Sequence, residues 1–217
     1  LYVSDKLKND QIVKNSIIGF SGRNDLNEKV LKIYGKWNKI MKSKCFSMRL
    51  LSGLHAHIIL FMGLGNIGDK VMILPINAGG HYATPKIMRR LGYEVLEAIP
   101  DNNNFRIDID QTIKLINEAR PKIIFIDRSE GIYYEDFTKL LSQINYECIK
   151  VFDASQYLTN IIVEDFISPF DMGFDIIMST LHKNFPGPQK AIVCSKNNDY
   201  KWERIQDALS SFVSSIH

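Results

Sequence analysis

Short apolar runs alternate with segments of helical apolar spacing over most of the chain. Strands are predicted over residues 70–74, 93–96, 122–126 and 148–152, and residues 122–126 have the pattern of a buried strand. Between them, the pattern predicts helices over residues 85–91 and 135–144, and another that begins at Asp108 or Asp110. This alternation of strands and helices predicts an α/β domain with a mainly parallel sheet.

The part of the chain before residue 70 is less regular. Asp25 is predicted to cap a helix that continues to about residue 42, because apolar residues recur there at helical spacing. A short strand over residues 46–50 and an apolar helix that starts at Ser52 are predicted to follow. We therefore expect an N-terminal arm over residues 1–25 and one domain over residues 26–217. The first residue is leucine, so we expect further residues before it.

The composition is that of an ordinary globular protein. Of its 217 residues, 45% are hydrophobic and 24% are charged, and the formal net charge is +3. This balance predicts neither a nucleic-acid surface nor a membrane surface, and the longest apolar run, residues 58–62, is too short to span a bilayer. The three cysteines are far apart, which is typical of a reducing compartment, so we expect a cytoplasmic protein.

One glycine-rich stretch has the spacing of a dinucleotide-binding fingerprint. Residues 63–68, GLGNIG, satisfy G-x-G-x-x-G, a motif that needs a strand before it and a helix after it. Here the preceding segment is predicted to be a helix and the following segment a strand. We therefore interpret the glycines as the end of a helix and reject nicotinamide binding.

The histidines do not predict a metal site. All five lie beside Gly, Ser or Pro turns, but they lack the short paired spacing of zinc ligands. His55 and His57 would point to different faces of a helix, which weakens them as a ligand pair. No metal is therefore expected.

The segment STLHKNFPGPQ, residues 179–189, places Lys183 between two apolar runs. Residues 174–178 and 191–194 are predicted to be short strands, and the Pro-Gly-Pro sequence between them can continue neither. A tight loop would therefore hold Lys183 near the end of a buried strand. A lysine in a partly dry crevice is suited to form a Schiff base with an aldehyde. We predict that Lys183 anchors a cofactor.

Three further features complete the requirements of pyridoxal 5'-phosphate, which needs a lysine, a carboxylate for its ring nitrogen, a phosphate site and a ring partner. Asp153 follows a predicted strand, where open α/β sheets bind ligands, although it also suits a helix cap. Ser52 and Gly53 begin a helix, whose N-terminus suits a phosphate or an ordinary serine cap. His81 follows two glycines and would lie over a planar ligand or be an exposed turn residue. Their occurrence together with Lys183 favours this cofactor.

These residues resemble the serine hydroxymethyltransferases, which are fold-type-I pyridoxal-phosphate enzymes. The resemblance extends from about Gly19 to His217. It is carried by LSGLHAH at 51–57, GD at 68–69, GGH at 79–81, FDASQ at 152–156 and STLHKNFPGP at 179–188. The last block is the most specific, since relatives carry a near-identical T-H-K-x-x-x-G-P. The resemblance implies the three-layer large domain of this fold type, with helices on both faces of the sheet.

The resemblance also implies catalytic and cofactor-binding residues. Lys183 would form the internal aldimine, with His182 and Thr180 lining the site beside it. Asp153 would pair with the pyridine nitrogen and make the ring a better electron sink. His81 would stack on the ring face. We expect Lys183, His81 and Asp153 to be the catalytic residues.

The cofactor's remaining groups would be held by a second set of residues. Ser52, Gly53 and the backbone of Leu54 would bind the phosphate, although Leu54 stands where the family has a hydroxyl residue. Gln156 occupies the position of a family histidine that reaches toward the cofactor's phenolic oxygen; it can donate a hydrogen bond there but cannot titrate near neutrality. The family's arginine after G-P is Gln189 here.

Other family features differ or lie beyond the sequence. The family's acid/base glutamate is expected near Gly22, where none stands, and Glu28 is the nearest. A glycine pair of the family is replaced around residues 213–215. Family members continue into a small C-terminal domain, which carries the arginine for the substrate carboxylate and is absent from this sequence.

The resemblance implies an enzyme that performs aldol or retro-aldol chemistry on glycine or a β-hydroxy amino acid. A transaldolase-type reaction, with an aldehyde in place of folate, would explain the missing glutamate. An aminotransferase and a catalytically impaired binding module with the same fold remain alternatives. The expected partners are an amino-acid substrate and a second copy of the chain, in a homodimer where Ser214, Ser215 and His217 contact the partner's phosphate.

Overall fold

In a computed structural model of the chain, the described residues are 24–101, 105–130 and 133–213. The first elements are α1 (Asn24–Met41), β1 (Cys45–Leu50), α2 (Gly53–Leu64), β2 (Lys70–Ile73), a 3-10 turn (Ile76–Ala78), α3 (Thr84–Arg90), β3 (Glu94–Glu97), β4 (Pro100–Asp101) and β5 (Arg106–Ile107). They are followed by α4 (Ile109–Ala119), β6 (Ile123–Ile126), α5 (Thr138–Ser142), β7 (Ile149–Asp153), α6 (Leu158–Ile162), α7 (Pro169–Met172), β8 (Ile176–Thr180), β9 (Ala191–Ser195) and α8 (Tyr200–Phe212). The expected N-terminal arm lies almost entirely outside the described residues.

Seven strands form one mixed sheet in the order β1-β9-β8-β7-β6-β2-β3. Five neighbouring strands of this sheet, β8, β7, β6, β2 and β3, are mutually parallel, whereas β9 runs antiparallel to both β8 and β1. Strands β4 and β5 form a separate antiparallel ribbon. The predicted α/β domain with a mainly parallel sheet is therefore confirmed.

Both faces of the sheet are buried against helices. Side chains alternate between the two faces of a strand. Met72 and Phe152 belong to a cluster that includes residues of α1 and of α4 to α7. Val71 and Phe125 belong to a second cluster with residues of α2, α3 and α8. This arrangement is the three-layer architecture that was expected, and it explains why the central strands are apolar on both sides.

Two predicted helix boundaries are wrong. Helix α1 begins at Asn24 and therefore includes Asp25, so Asp25 is not its N-cap. Helix α5 is shorter than the predicted residues 135–144, because an Asp136 side-chain oxygen accepts the Thr138 N–H at 2.8 Å and forms a turn there. Glu135 instead forms a buried ion pair with Arg128.

The glycine-rich stretch ends a helix, as predicted. Helix α2 stops at Leu64 with Gly65 as its C-cap, and β2 begins at Lys70. A Cβ atom on Gly65 would lie 2.1 Å from the Tyr93 hydroxyl oxygen, so the glycine makes room for a buried tyrosine. The order of helix and strand is the reverse of a dinucleotide fingerprint. Within the described ranges, no helix is long and apolar enough to cross a membrane.

Candidate active site

The carboxyl ends of three neighbouring parallel strands bring the candidate site together. Asp127 follows β6, Asp153 is the last residue of β7, and Thr180 is the last residue of β8. Lys183 comes three residues after the end of β8. Ligands of open α/β sheets bind at this edge, so the strand order places these side chains where a ligand would be expected.

Asp153 is held by hydrogen bonds to both of its carboxylate oxygens. Its Oδ2 lies 3.0 Å from Nε2 of His57, and its Oδ1 accepts the backbone N–H of Ser155 at 2.9 Å and the Ser155 hydroxyl at 2.5 Å. Only 12% of the Asp153 side chain is exposed. Burial acts to raise the pKa of Asp153, but the interactions with His57 and Ser155 outweigh it and hold this pKa below its ordinary range. Asp153 is therefore ionised at neutral pH.

The alternative interpretation of Asp153 as a helix cap is wrong. Helix α6 begins only at Leu158, and its N-cap position is occupied by Tyr157. The Asp153 carboxylate instead organises the turn at Ser155 that follows β7. This leaves Asp153 at the sheet edge, where a ligand can approach it.

Ser155 connects the ends of two strands. Its hydroxyl donates to Asp153 and accepts the backbone N–H of Thr180 at 2.9 Å. The loop after Thr180 is also fixed, since the Asn184 side-chain oxygen accepts the backbone N–H of Thr159 at 2.7 Å. Sequence reasoning included Ser155 in a motif but assigned it no function. Its position two residues after Asp153 is the signal that would have identified it, because serine commonly closes such short turns.

Lys183 and His182 are both exposed on the loop between β8 and β9. The tight loop predicted from Pro-Gly-Pro is present, and Gly187 donates its N–H to the Leu181 carbonyl at 2.7 Å. The prediction that Lys183 lies in a partly dry crevice is wrong for this chain. Lys183 is exposed among the described residues, in the loop between β8 and β9.

His81 is placed by two glycines whose geometry excludes side chains. Gly79 has a φ of +85°, and a Cβ atom on Gly80 would lie 2.2 Å from the Leu74 carbonyl oxygen. The half-buried His81 ring stands 6.2 Å from the ring of His57 and nearly perpendicular to it. Burial lowers the pKa of His81, as do electrostatic interactions with His57 and Lys183, with Asp153 opposing them. His81 therefore belongs to the same cluster as Asp153 and Lys183.

The start of α2 joins this cluster through its backbone. Ser52 is the N-cap and accepts the N–H of His55 at 3.2 Å. A Cβ atom on Gly53 would lie 2.9 Å from Cγ2 of Thr180, so the helix start approaches the end of β8 closely. Leu54 is 44% exposed. The first turn leaves backbone N–H groups without acceptors inside the helix, which is the arrangement that suits a phosphate.

Gln156 lies at the edge of the cluster. It is half-buried, and its amide nitrogen donates to the Ser129 carbonyl at 2.9 Å. Ser129 is itself fixed, since its N–H donates to the Gly79 carbonyl at 2.7 Å. Gln156 is thus tied to the segment that precedes His81.

Two buried polar residues of the cluster were missed by the sequence interpretation. His57 was considered only as a metal ligand, yet its side chain is 3% exposed and contacts Asp153. Asp127 is 2% exposed; its Oδ2 accepts the Thr84 hydroxyl, and its Oδ1 has no hydrogen-bond partner among the described residues. Burial raises the pKa of Asp127 well above its ordinary value, and the negative charge of Asp153 adds to this. The signal for Asp127 was its place directly after a buried strand.

A metal centre finds no support in the described ranges, where no group of three or more His, Cys, Asp or Glu side chains is placed to hold an ion. Ser214, Ser215 and His217 lie outside the described residues, as does Gly22.

Comparison with a solved structure shows the fold class. The chain is similar to L-threonine transaldolase from Pseudomonas fluorescens, with a TM-score of 0.81 and 19% sequence identity. The match covers 89% of this chain and 44% of that chain. The seven-stranded, mainly parallel sheet with helices on both faces therefore matches the fold of the large domain of fold-type-I pyridoxal-phosphate enzymes, as expected.

Sequence comparison shows the family. The family model for serine hydroxymethyltransferase matches residues 27–214, and the chain belongs to this family. Relatives named serine hydroxymethyltransferase include one from Sulfolobus acidocaldarius, 29% identical over 184 residues, and one from Saccharolobus islandicus, 31% identical over 183 residues. Each match covers 83% of this chain. The chain spans 42% of the length of these relatives.

Proposed function

We propose that this chain is the cofactor-binding large domain of a pyridoxal-phosphate enzyme. The proposed reaction is aldol or retro-aldol chemistry, including the transaldolase type, on glycine or a β-hydroxy amino acid. The observation that carries the proposal is the convergence of Lys183, Asp153 and His81 at one edge of the sheet, beside the start of α2. The cluster thus combines a lysine, an ionised carboxylate, an aromatic ring and a helix N-terminus that suits a phosphate, and together they meet the needs of this cofactor.

The residues present fit the cofactor. Thr180 Oγ1 is buried and has no hydrogen-bond partner among the described residues, so a hydroxyl is available beside the loop that carries Lys183. The approach of Gly53 to Thr180 leaves no room for a side chain, as is typical where a backbone must come close to a ligand. Lys183 is exposed, so a ligand can reach its amine.

Each side chain has a defined task in binding and orientation. Lys183 would hold the cofactor's aldehyde carbon covalently, and His81 would pack against the ring. The N–H groups at the start of α2 and the Ser52 hydroxyl would bind the phosphate. Asp153 would accept a hydrogen bond from the protonated ring nitrogen and keep that proton in place. When bound, the cofactor supplies an electron sink for the bond that is broken at the amino acid's α-carbon.

The reaction class rests on the family and on the fold neighbour. The family's named members are hydroxymethyltransferases, and the similar solved structure is a threonine transaldolase. Both names describe carbon–carbon bond chemistry at the β-position of an amino acid. Aldol chemistry is therefore a better-supported reaction than transamination, although identical cofactor contacts serve both.

A second candidate function is a binding module that has lost turnover. Leu54 favours it, because an exposed leucine stands at the start of α2 where a hydroxyl would have bonded to a phosphate. A doubly charged phosphate loses affinity when a donor is removed. The ionised Asp153 and the accessible Lys183 oppose this candidate, since both would be needed for chemistry more than for binding.

We propose further that two copies of the chain associate through α2. Leu54, Ile58 and Met62 are each at least 37% exposed and lie four residues apart, so they form one apolar stripe along this helix. Phe212 borders the same groove as Met62 and is 53% exposed. The stripe begins at Leu54, next to the proposed phosphate site, which supports a homodimer with active sites at the interface.

Titration with pyridoxal phosphate tests the proposed function. Purified protein should gain a visible absorbance band as the covalent link forms, and Lys183→Ala should lose this band. Lys190→Ala, in the same loop, is the matched control and should keep it. Absence of the band in the unaltered protein would refute the proposal.

Addition of amino acids to the loaded protein then separates the candidate reactions. A β-hydroxy amino acid should be cleaved to glycine and an aldehyde in equal amounts. Formation of a 2-oxo acid would instead indicate an aminotransferase. A loaded protein that changes no amino acid offered would indicate the binding module.

A further inference from the structure

We propose that His57 is a positioning residue, which fixes the Asp153 carboxylate for the ring nitrogen of the proposed cofactor. This inference rests on the proposed function, because Asp153 needs a defined orientation only if it meets a ligand. The sequence motif that contains His57 did not predict this role. The geometry of three elements, α2, β6 and β7, carries the argument.

His57 is the only buried polar side chain among the buried residues of α2, which are otherwise alanine, glycine, leucine, isoleucine and phenylalanine. Its ring stands 5.0 Å from the ring of Phe125 on β6, nearly perpendicular to it. In this apolar setting Nε2 reaches Asp153 Oδ2 at 3.0 Å, and Nδ1 has no hydrogen-bond partner among the described residues. A ring with its proton on Nε2 leaves no donor unpaired, so His57 donates and Asp153 accepts.

Fold stability gives little reason for this pair. A buried polar pair seldom stabilises a fold more than well-packed apolar residues of similar volume. His57 also leaves one buried nitrogen unpaired, which costs free energy. The reason for the histidine therefore lies in what it does to Asp153.

The two donors fix the carboxylate from opposite sides. His57 holds Oδ2 from α2, while Ser155 holds Oδ1 from the turn after β7. Rotation of the carboxylate would break at least one of these bonds. Without His57, only the local turn at Ser155 would restrain Asp153.

His57 also determines which of two neighbouring carboxyl groups carries the negative charge. Asp127 directly follows β6 and Asp153 ends the adjacent strand β7, and the charge on Asp153 favours the protonated form of Asp127. Asp127 Oδ2 bonds to the neutral hydroxyl of Thr84, whereas Asp153 Oδ2 bonds to His57. Among the described residues, His81 and Lys183 are further titratable or charged groups near this cluster. The hydrogen bond from His57 therefore keeps the negative charge on Asp153, where the protonated ring nitrogen would need it.

Three variants test the proposal. His57→Leu removes the donor and keeps an apolar side chain, whereas His57→Gln places an amide N–H where Nε2 stands. Ile59→Ala, at a buried position of the same helix, controls for a loss of packing. If the leucine variant does not fold, His57→Met replaces it, because methionine adapts to irregular apolar space.

The first readout needs no cofactor. Carbon-13 NMR of labelled aspartate carboxyl groups, assigned with Asp153→Asn, follows the titration of Asp153. His57→Leu should raise the pKa of Asp153, because burial is then opposed only by Ser155. Ile59→Ala should leave it unchanged, although it lowers the melting temperature.

The second readout is the affinity for pyridoxal phosphate. Loss of a hydrogen bond to a charged group should weaken binding by roughly 10- to 100-fold in His57→Leu. His57→Gln should stay within about threefold of the unaltered protein, since the bond is retained. An unchanged Asp153 titration together with unchanged affinity in His57→Leu would overturn the proposal. If the unaltered protein binds no cofactor, the proposed function fails, and the NMR readout still decides whether His57 controls Asp153.

Discussion

Gly53 lies so close to Thr180 that a Cβ atom on the glycine would stand 2.9 Å from Thr180 Cγ2. Thr180 is buried and β-branched, so it cannot move aside easily. Gly53→Ala should therefore push α2 away from the end of β8. We expect a loss of about 1–3 kcal/mol in the free energy of unfolding, and weaker binding of pyridoxal phosphate.

Gly35→Ala is the matched control for this substitution. Gly35 lies inside α1 and has no atom within 4 Å of the added Cβ. The change should stabilise the protein by about 0.5–1 kcal/mol, because alanine favours a helix. Urea unfolding of both variants checks the pair. Stabilisation by Gly53→Ala would show that the contact with Thr180 is not restrictive.

Asp127 should make the protein less stable as the pH rises. Burial raises the pKa of Asp127 in the folded state, so below the unfolded pKa of about 3.9 both states hold the proton and no penalty arises. Above that pH the unfolded chain ionises while the folded chain keeps its proton, which favours unfolding. Asp127→Asn removes this pH-dependent destabilisation. The stability of the variant relative to the unaltered protein should therefore increase from about pH 4 towards neutral pH.

Thermal unfolding of both proteins between pH 4 and 8 measures this difference. The Thr84 hydroxyl can still bond to the side-chain oxygen of the variant's amide, so the local contact is kept. Two stability curves that run parallel over this range would show that Asp127 has an ordinary pKa.

The ion pair between Arg128 and Glu135 should be important for stability. The side chains are only 4% and 8% exposed, and Arg128 also donates to the carbonyls of Ala78 and Phe105 at 2.9 Å each. Glu135→Gln leaves a buried guanidinium without its counter-charge. We expect a loss of about 3–5 kcal/mol in the free energy of unfolding, measured by denaturant titration.

The pair between Lys42 and Glu164 is the control for this substitution. Its side chains are 62% and 70% exposed, so water screens the charges. Glu164→Gln should not change stability measurably. Equal effects of the two glutamate substitutions would mean that burial does not govern the strength of these pairs.

The apolar stripe on α2 should mediate association. Ile58→Lys places a charge in the middle of the stripe and should convert a dimer to a monomer in analytical ultracentrifugation. Ile67→Lys is the control, because Ile67 is 88% exposed and lies in the loop after α2, outside the stripe. Dissociation by both substitutions, or by neither, would contradict an interface through the stripe.

The sequence was sufficient to predict which residues end the central strands. Asp153 and the loop with Lys183 follow apolar runs, and the ends of parallel strands must share one edge of the sheet. The helix start at Ser52 was also predictable, because serine is a favoured N-cap. These features depend on local pattern and on the geometry of a parallel sheet.

Contacts between distant segments could not be predicted in this way. His57 and Asp153 are 96 residues apart, and no periodicity relates them. The exposure of Lys183 depends on what packs over its loop, which a single sequence does not specify. Helix α5 begins later than predicted because Glu135 pairs with Arg128 and because Asp136 forms a turn with Thr138, and both contacts override the helical spacing of the apolar residues.

The most direct test of the account is to identify the lysine that bonds to pyridoxal phosphate. Borohydride reduction of the loaded protein fixes the cofactor, and peptide mass spectrometry then locates it. We predict that the label is found on Lys183, in the loop between β8 and β9, and that Asp153→Asn weakens loading without moving the label. A label on Lys190 or on any other lysine would contradict the proposed site.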